Sequence, residues 1–588
     1  MNFKLLAAAG SACVLMTGCI DSDYDLSDVD TTSEVKIDNL TLPINIEAMK
    51  LDDVFDIEDS ENFKIVEING ERYYALSETG EFHSDPIHIA AIHLDAPHIN
   101  PTYCALELPY NSAKTRSTMV NVPIPSTATE FHYTTGGIDN SVLGMDALTT
   151  ANTTLTITAT LDGMSMSHAK FSDLEFILPK DMKVSSLSAG KYDPTTGILT
   201  VPYIEPKGDN FKITLSIDKI DLTATDLKYN RDAHTLAFTG NLGLDSGSLS
   251  FDLADLGTQA PKWLALNVGY KLSDIDVTAL TGDIDYHIEG VNIAPVHITG
   301  IPDFLKGEGT DIKIANPQLY LGLNNPVGGD RLRCETGFSL TTRRENSPIP
   351  AMTFNPDNNG RIKIGYDKGV AGPYNFVLAP DRTKVVPLAG FSENLGFLEY
   401  TSLSNLLSVP AQYKDQAVLP DYIDVDLIDP GIPTQTAVDF PVGRDLQPVK
   451  GHYELLAPLG LKEGSVVVYE DTDDGWYDDD MEGLVIEKMV VTAKADNDAP
   501  VSAQLASYPI SVGGKVNKQV KVESTVLQAN AKDQDLTITL TGEVRELDGL
   551  LIRAYIFSSD NETPLGPDQN ITFKNVRVTV SGTYSKDF

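Results

Sequence analysis

Basic residues are scarce. The 588-residue chain carries 44 Lys and Arg against 84 Asp and Glu, a formal charge of −40. Phosphate contacts need clustered cations, and a field of this sign repels polyanions, so nucleic-acid binding is disfavoured. No apolar run reaches the roughly 18 residues that a transmembrane helix requires. Long amphipathic helical patterns are absent; short ones are expected only at 49–55, 302–306 and 403–407. Trp occurs twice, at Trp263 and Trp476. The motifs of serine hydrolases, zinc proteases, thiol redox enzymes and P-loop proteins are missing. S-x-x-K matches such as those at Ser167 and Ser216 lack the partner motifs that would give them chemistry.

What is present begins with the first nineteen residues. A short basic start at Met1–Lys4 leads into an apolar stretch, Leu5–Met16, too short to span a bilayer. Leu15-Met16-Thr17-Gly18-Cys19 then puts two small residues directly before a Cys. This resembles a bacterial lipobox, which implies cleavage after residue 18 and acylation of Cys19. One acyl chain binds membranes marginally, so several on Cys19 are what would anchor the chain in the outer membrane. Residues 20–30 hold five Asp and little to bury, which reads as a solvated tether.

The remainder reads as β. Leu155, Ile157, Ala159 and Leu161 alternate with polar residues, as do Ile213, Leu215 and Ile217, and Leu536, Ile538 and Leu540. Ile571 and Phe573 are odd-numbered whereas Val576, Val578 and Val580 are even, and this change of parity at Lys574-Asn575 predicts a β-bulge. Asn69-Gly70 between two apolar runs predicts a tight hairpin, because both residues accept positive φ. Residues 193–197, 357–360 and 513–514 mark further turns. The expected fold class is all-β, with several tandem β-sandwich-like domains after a lipoprotein signal peptide (1–18) and an acidic tether (19–36). Composition shifts and turn chemistry suggest units at 37–145, 146–298, 299–417 and 418–588.

The acidic Ser/Asp stretch after Cys19, together with Tyr24-Asp25-Leu26-Ser27, Ile68–Tyr74, Ala315–Tyr320 and Tyr469–Trp476, resembles large uncharacterised lipoproteins of the Bacteroidota. The resemblance covers most of the mature chain. It implies an outer-membrane location, at the cell surface or on the periplasmic side, and β architecture. It supplies no catalytic residues.

Three groups of residues offer chemistry. Residues 471–482 hold six Asp and a Glu between apolar runs. Asp471, Asp473, Asp479 and Glu482 stand at positions partly like those of a calcium-binding EF-hand loop, and a hard cation would relieve their repulsion. Gly475 replaces an oxygen donor and Trp476 stands where a turn Gly is needed. That leaves a calcium loop of another kind or a solvated acidic hairpin tip. On the same tip, Trp476 and Tyr477 either stack on a sugar face or fold back to cap the sandwich edge. Four of the ten His lie at 83, 88, 93 and 98. Their five-residue period alternates faces on a strand, which argues against one zinc site. Cys104 and Cys334 either form a bridge or are two buried thiols. The function expected is non-catalytic: binding of a glycan or a host protein. The alternatives are a structural or assembly scaffold acting through protein contacts, and a glycosidase-type enzyme built on two spatially paired acids.

Overall fold

The computed structural model describes residues 32–43, 49–50, 62–108, 119–180, 182–223, 228–256, 261–298, 305, 307–327, 332–367, 370–371, 374–391, 395–416, 419–475, 477, 483–558 and 562–587. Strands dominate them, interrupted by short 3₁₀ turns such as Thr401–Asn405. Among the described residues no helix is long and apolar enough to cross a membrane. The alternating segments are strands: Ala147–Asp162, Phe211–Asp221 and Gln534–Arg545. Leu155, Ile157, Ile213 and Leu215 are fully buried, and each such side chain contributes about 1.5–3 kcal/mol by leaving water.

Among the described residues the strands form five sheets. The largest has 13 strands, and its long path runs Met182–Leu187, Phe211–Asp221, Ala147–Asp162, Ile275–His287, Tyr422–Pro441, Arg333–Arg343. A seven-stranded sheet centred on Thr235–Asp252 packs on its first half, where the Phe171 ring meets Phe211 edge-on at 5.2 Å. A six-stranded sheet holding Glu71–Pro86, Gln318–Leu323 and Pro448–Pro458 packs on its second half, bringing Phe82 and Val449 toward Cys334, Ile364 and Leu427. A third sandwich is built from the last two sheets. Its core holds Ile486, Met489, Leu540, Val544, Leu547, Val578 and Val580. Every ladder is antiparallel except Asn375–Ala379 with Leu395–Glu399, among the described strands.

Local turn chemistry behaves as the sequence predicts. Asn69 (φ 56°) and Gly70 (φ 87°) close the hairpin between Phe63–Ile68 and Glu71–Pro86. The ladder of Asn570–Asp587 skips between Arg577 and Lys574, with Asn575 at φ 54°, so the bulge lies where the parity changes. Met49-Lys50 departs from the expectation of a short helix and pairs as a strand with Ile571 and Asn570. A short helix has too few hydrogen bonds to offset its nucleation, and a neighbouring strand edge supplies them directly. Ladders also run across the seams expected near 145, 298 and 417. Thr127–Thr135 pairs with Thr235–Asp252, Ile275–His287 with Tyr422–Pro441, and Gln318–Leu323 with Pro448–Pro458. Thr32–Pro43 pairs with Asn570–Asp587, from Thr32 opposite Asp587 to Pro43 opposite Arg577. Residues 32–36, expected as the end of the acidic tether, are thereby strand and belong to the third sandwich, because the edge of Asn570–Asp587 supplies their backbone partners.

Candidate functional site

A cleft of about 500 Å³ opens where the six-stranded sheet meets the loop before the last strand. Its size suits a small ligand. The Asn69-Gly70 turn starts the strand that projects Glu71 and Tyr73 into the cleft, while Tyr74 and Leu76 enter the core. Opposite them the loop at 562–569 is fixed by backbone bonds. Tyr74 N–H donates to Leu565 O (2.9 Å), and Leu565 N–H to Leu459 O (3.0 Å). Gly566 permits this approach, since a Cβ there would stand 2.3 Å from Arg72 O. Arg72 adds a bidentate pair with Asp568, at 2.6 and 3.1 Å.

The third wall comes from a short turn. Asp381 caps Arg382–Lys384 by accepting from Thr383 N–H (2.8 Å), which aims Lys384 at Glu562. The Thr383 hydroxyl and N–H, and then the Lys384 charge, hold the Asp381 carboxyl below the usual carboxylate range. The hydrogen bond to Glu562 raises the Lys384 ammonium further. Across the cleft the Tyr73 hydroxyl donates to Glu71, and that bond, with burial and the Glu71 charge, pushes the phenol up to about 12. Asn316 donates its Nδ2 to Lys384 O (2.8 Å), while its buried Oδ1 has no partner among the described residues. Glu562 adopts φ 50° at the cleft wall, a conformation that L side chains rarely adopt. The cleft therefore holds two carboxylates already engaged by donors, one ammonium and one phenol.

The acidic loop is placed only in part. Asp471 is exposed in the strand Val466–Asp473, opposite Ile552, and its Oδ1 accepts from Thr472 N–H (2.9 Å). Asp473 lies opposite Leu550 in the same ladder. Tyr477 donates its N–H to Asp548 (3.1 Å) and packs half-buried on the core of the third sandwich. Trp476, Asp479, Glu482 and Cys19 lie outside the described residues. Cys104 and Cys334 are both free and buried, which decides for two thiols, and burial pushes Cys334 up to about 12.

Three of these four His go to separate neighbours. His88 meets Asp445 at 2.8 Å, and His83 lies beside Ser84 O. His93 places Nδ1 2.6 Å from Asp276 and Nε2 3.3 Å from Asp95. Ligand atoms of His93, Asp95 and Asp274 lie within 4.8 Å of one another, all on exposed residues. The Asp276 bond, its charge and the Asp95 carboxylate together raise the His93 imidazole above its ordinary value. A raised folded value adds stability that is complete below the unfolded pKa and is lost as pH rises through the folded one. Following the His93 ring by NMR should give a midpoint above that of a free imidazole. Asp276→Asn should lower the midpoint; an unchanged midpoint would remove Asp276 as the cause.

Glu71, Tyr73, Asn316, Lys384 and Glu562 carry no motif that marks them in the sequence. They come from four segments as far apart as residues 71 and 562, joined only by the fold. No protein-family model matches the chain, and no curated protein matches it. A crystal structure of a chain from Parabacteroides distasonis ATCC 8503, described as secreted, is similar over 52% of this chain and 90% of its own, at 12% identity and a TM-score of 0.33.

Proposed function

We propose that the chain is a non-catalytic binding protein of the cell envelope, anchored in the outer membrane through acylated Cys19 and facing outward. The cleft at Glu71, Tyr73 and Lys384 is its binding site for a small hydroxyl-rich ligand, a glycan end. The observation that carries this reading is the cleft of about 500 Å³ that brings Glu71, Tyr73, Lys384 and Glu562 together. Binding is favoured over hydrolysis because each acid already has a donor: Tyr73 on Glu71, Lys384 on Glu562. Acid-pair hydrolysis needs one carboxyl free to protonate a leaving group and another free to attack or to activate water.

The test is an array of neutral oligosaccharides probed with the soluble chain. Tyr73→Phe with Glu71→Gln keeps the ring and the shape but removes the phenol hydroxyl and the carboxylate charge. The pair should weaken binding about tenfold, the loss of one or two buried polar contacts. Undiminished binding to the same oligosaccharide would remove the cleft from the account.

A further inference from the structure

The chain's other tryptophan stands on a different surface, the outer face of the large sheet's first half. In Trp263–Leu272 the even-numbered Leu264, Leu266, Val268, Tyr270 and Leu272 are buried beneath the seven-stranded sheet, so the odd-numbered residues face away from it. Trp263 is 46% exposed there. The neighbouring strand Thr102–Glu107 behaves alike, burying Cys104 and Leu106 and leaving Tyr103 61% exposed. These are large aromatic surfaces to leave in water, and the two share one face of adjacent strands.

The ladder fixes their spacing. Trp263 lies opposite Glu107, and Tyr103 opposite Asn267. The rings are thus four residues apart along the strand direction, about 14 Å at a rise of about 3.4 Å per residue. Ala105 and Ala265 pair between them, so the floor linking the two rings is low. Beyond it lies Gly269, where a Cβ would meet nothing nearer than Thr158 O at 3.8 Å. At the side of this floor Asn267 Nδ2 donates to Asp162 (3.0 Å), and both groups are exposed.

Charge selects the occupant. The chain as a whole stands at −40, yet here Glu107 and Asp162 are offset by Lys262, whose ammonium lies 5.8 Å from the Trp263 ring centre, and farther along the ladders by Lys212 and Lys271, opposite Thr158 and Thr156. The strand alongside presents Thr156, Thr158 and Thr160, a row of hydroxyls. A protein partner of the usual kind buries about 800 Å² per side around an apolar centre, and a Thr-rich row does not offer such a centre. A polyanion is repelled by the field of the chain. An uncharged, hydroxyl-bearing chain with flat apolar faces matches on every count.

We infer that this face is a platform for an extended neutral polysaccharide. Trp263 and Tyr103 stack on two separated sugar rings, and Asn267 and Asp162 bond the hydroxyls between them. The platform does not depend on the cleft, and no residue is shared between the two.

Affinity gel electrophoresis of the full chain through laminarin, glycogen or polygalacturonate tests it. At least one of the two neutral polysaccharides should retard the protein, and the anionic polygalacturonate should not. Trp263→Ala and Tyr103→Ala should each weaken retardation about tenfold, as truncated aromatic anchors do, and together abolish it. Trp263→Phe should restore most of it, which separates stacking from a loss of folding. No retardation in either neutral polysaccharide, or full retardation of the double variant, would overturn the platform. Retardation lost in the Tyr73→Phe, Glu71→Gln pair but kept in the double variant would overturn it too, while leaving the cleft intact.

Discussion

Phe171→Ala should destabilise the chain by about 3–5 kcal/mol, the range for removing a buried aromatic side chain. Phe171 is fully buried in the strand Lys170–Ile177. Its ring meets Phe211 edge-on at 5.2 Å with planes 68° apart, across the join between the seven-stranded sheet and the large one. Alanine would leave a void that strands held in ladders on both sides cannot collapse to fill. Lys170–Ile177 pairs with Ile198–Ile204 on one side and Thr235–Asp252 on the other, so it cannot shift toward the gap. The expected result is a lower denaturant midpoint for the variant than for the parent. Phe171→Leu should cost less. A loss below about 1 kcal/mol for alanine would mean that the interface relaxes far more than a close-packed core allows.

Cys19→Ser should release the protein from membranes entirely. On the proposed reading the only lasting attachment is the acyl group on Cys19, and a chain at −40 gains nothing from an anionic lipid surface. The parent should partition into the detergent phase of a Triton X-114 extraction and the variant into water. A variant that stays with the membranes would show that something else holds the chain. Protease shaving of intact cells then reads the face. Loss of the parent while a periplasmic control survives places the chain outside; survival of both until the outer membrane is opened places it inside, and favours the scaffold alternative.

Much of the local structure is legible without coordinates. The parity of Leu155, Ile157, Ala159 and Leu161 marks a buried face because side chains alternate on a strand whatever its neighbours are. The slip at Lys574-Asn575 marks a bulge for the same reason. Asn69-Gly70 makes its hairpin because few other residue pairs tolerate φ values of 56° and 87° in succession. The outward setting of Trp263 is legible as well: five apolar residues of the other parity follow it.

Partners are a different matter. Alternation says that a face is buried but not what buries it, and a ladder can form with any strand of matching pattern. Thr32–Pro43 therefore pairs with Asn570–Asp587, more than five hundred residues away, with no signal in either segment. The seams near 145, 298 and 417 were read from composition, whereas Tyr422–Pro441 is held by Ile275–His287 on one side and Arg333–Arg343 on the other. The cleft is the extreme case. Glu71 and Tyr73 sit on an ordinary hairpin strand, and Lys384 and Glu562 lie in separate loops. None is chemically distinctive until the loop at 562–569 docks on Tyr74 and Leu459.

The sequence by itself determined the all-β class, the turns, the bulge and the acidic surface, because these follow from side-chain period, backbone tolerance and charge within a few residues. Only the tertiary structure decided which strands meet, that the thiols of Cys104 and Cys334 stay apart, that Lys384 and Glu562 meet Glu71 and Tyr73 in one cleft, and that Trp263 and Tyr103 share one face. Those depend on contacts between distant segments, whose free energy comes from burial and ladder pairing that many alternative partners could supply.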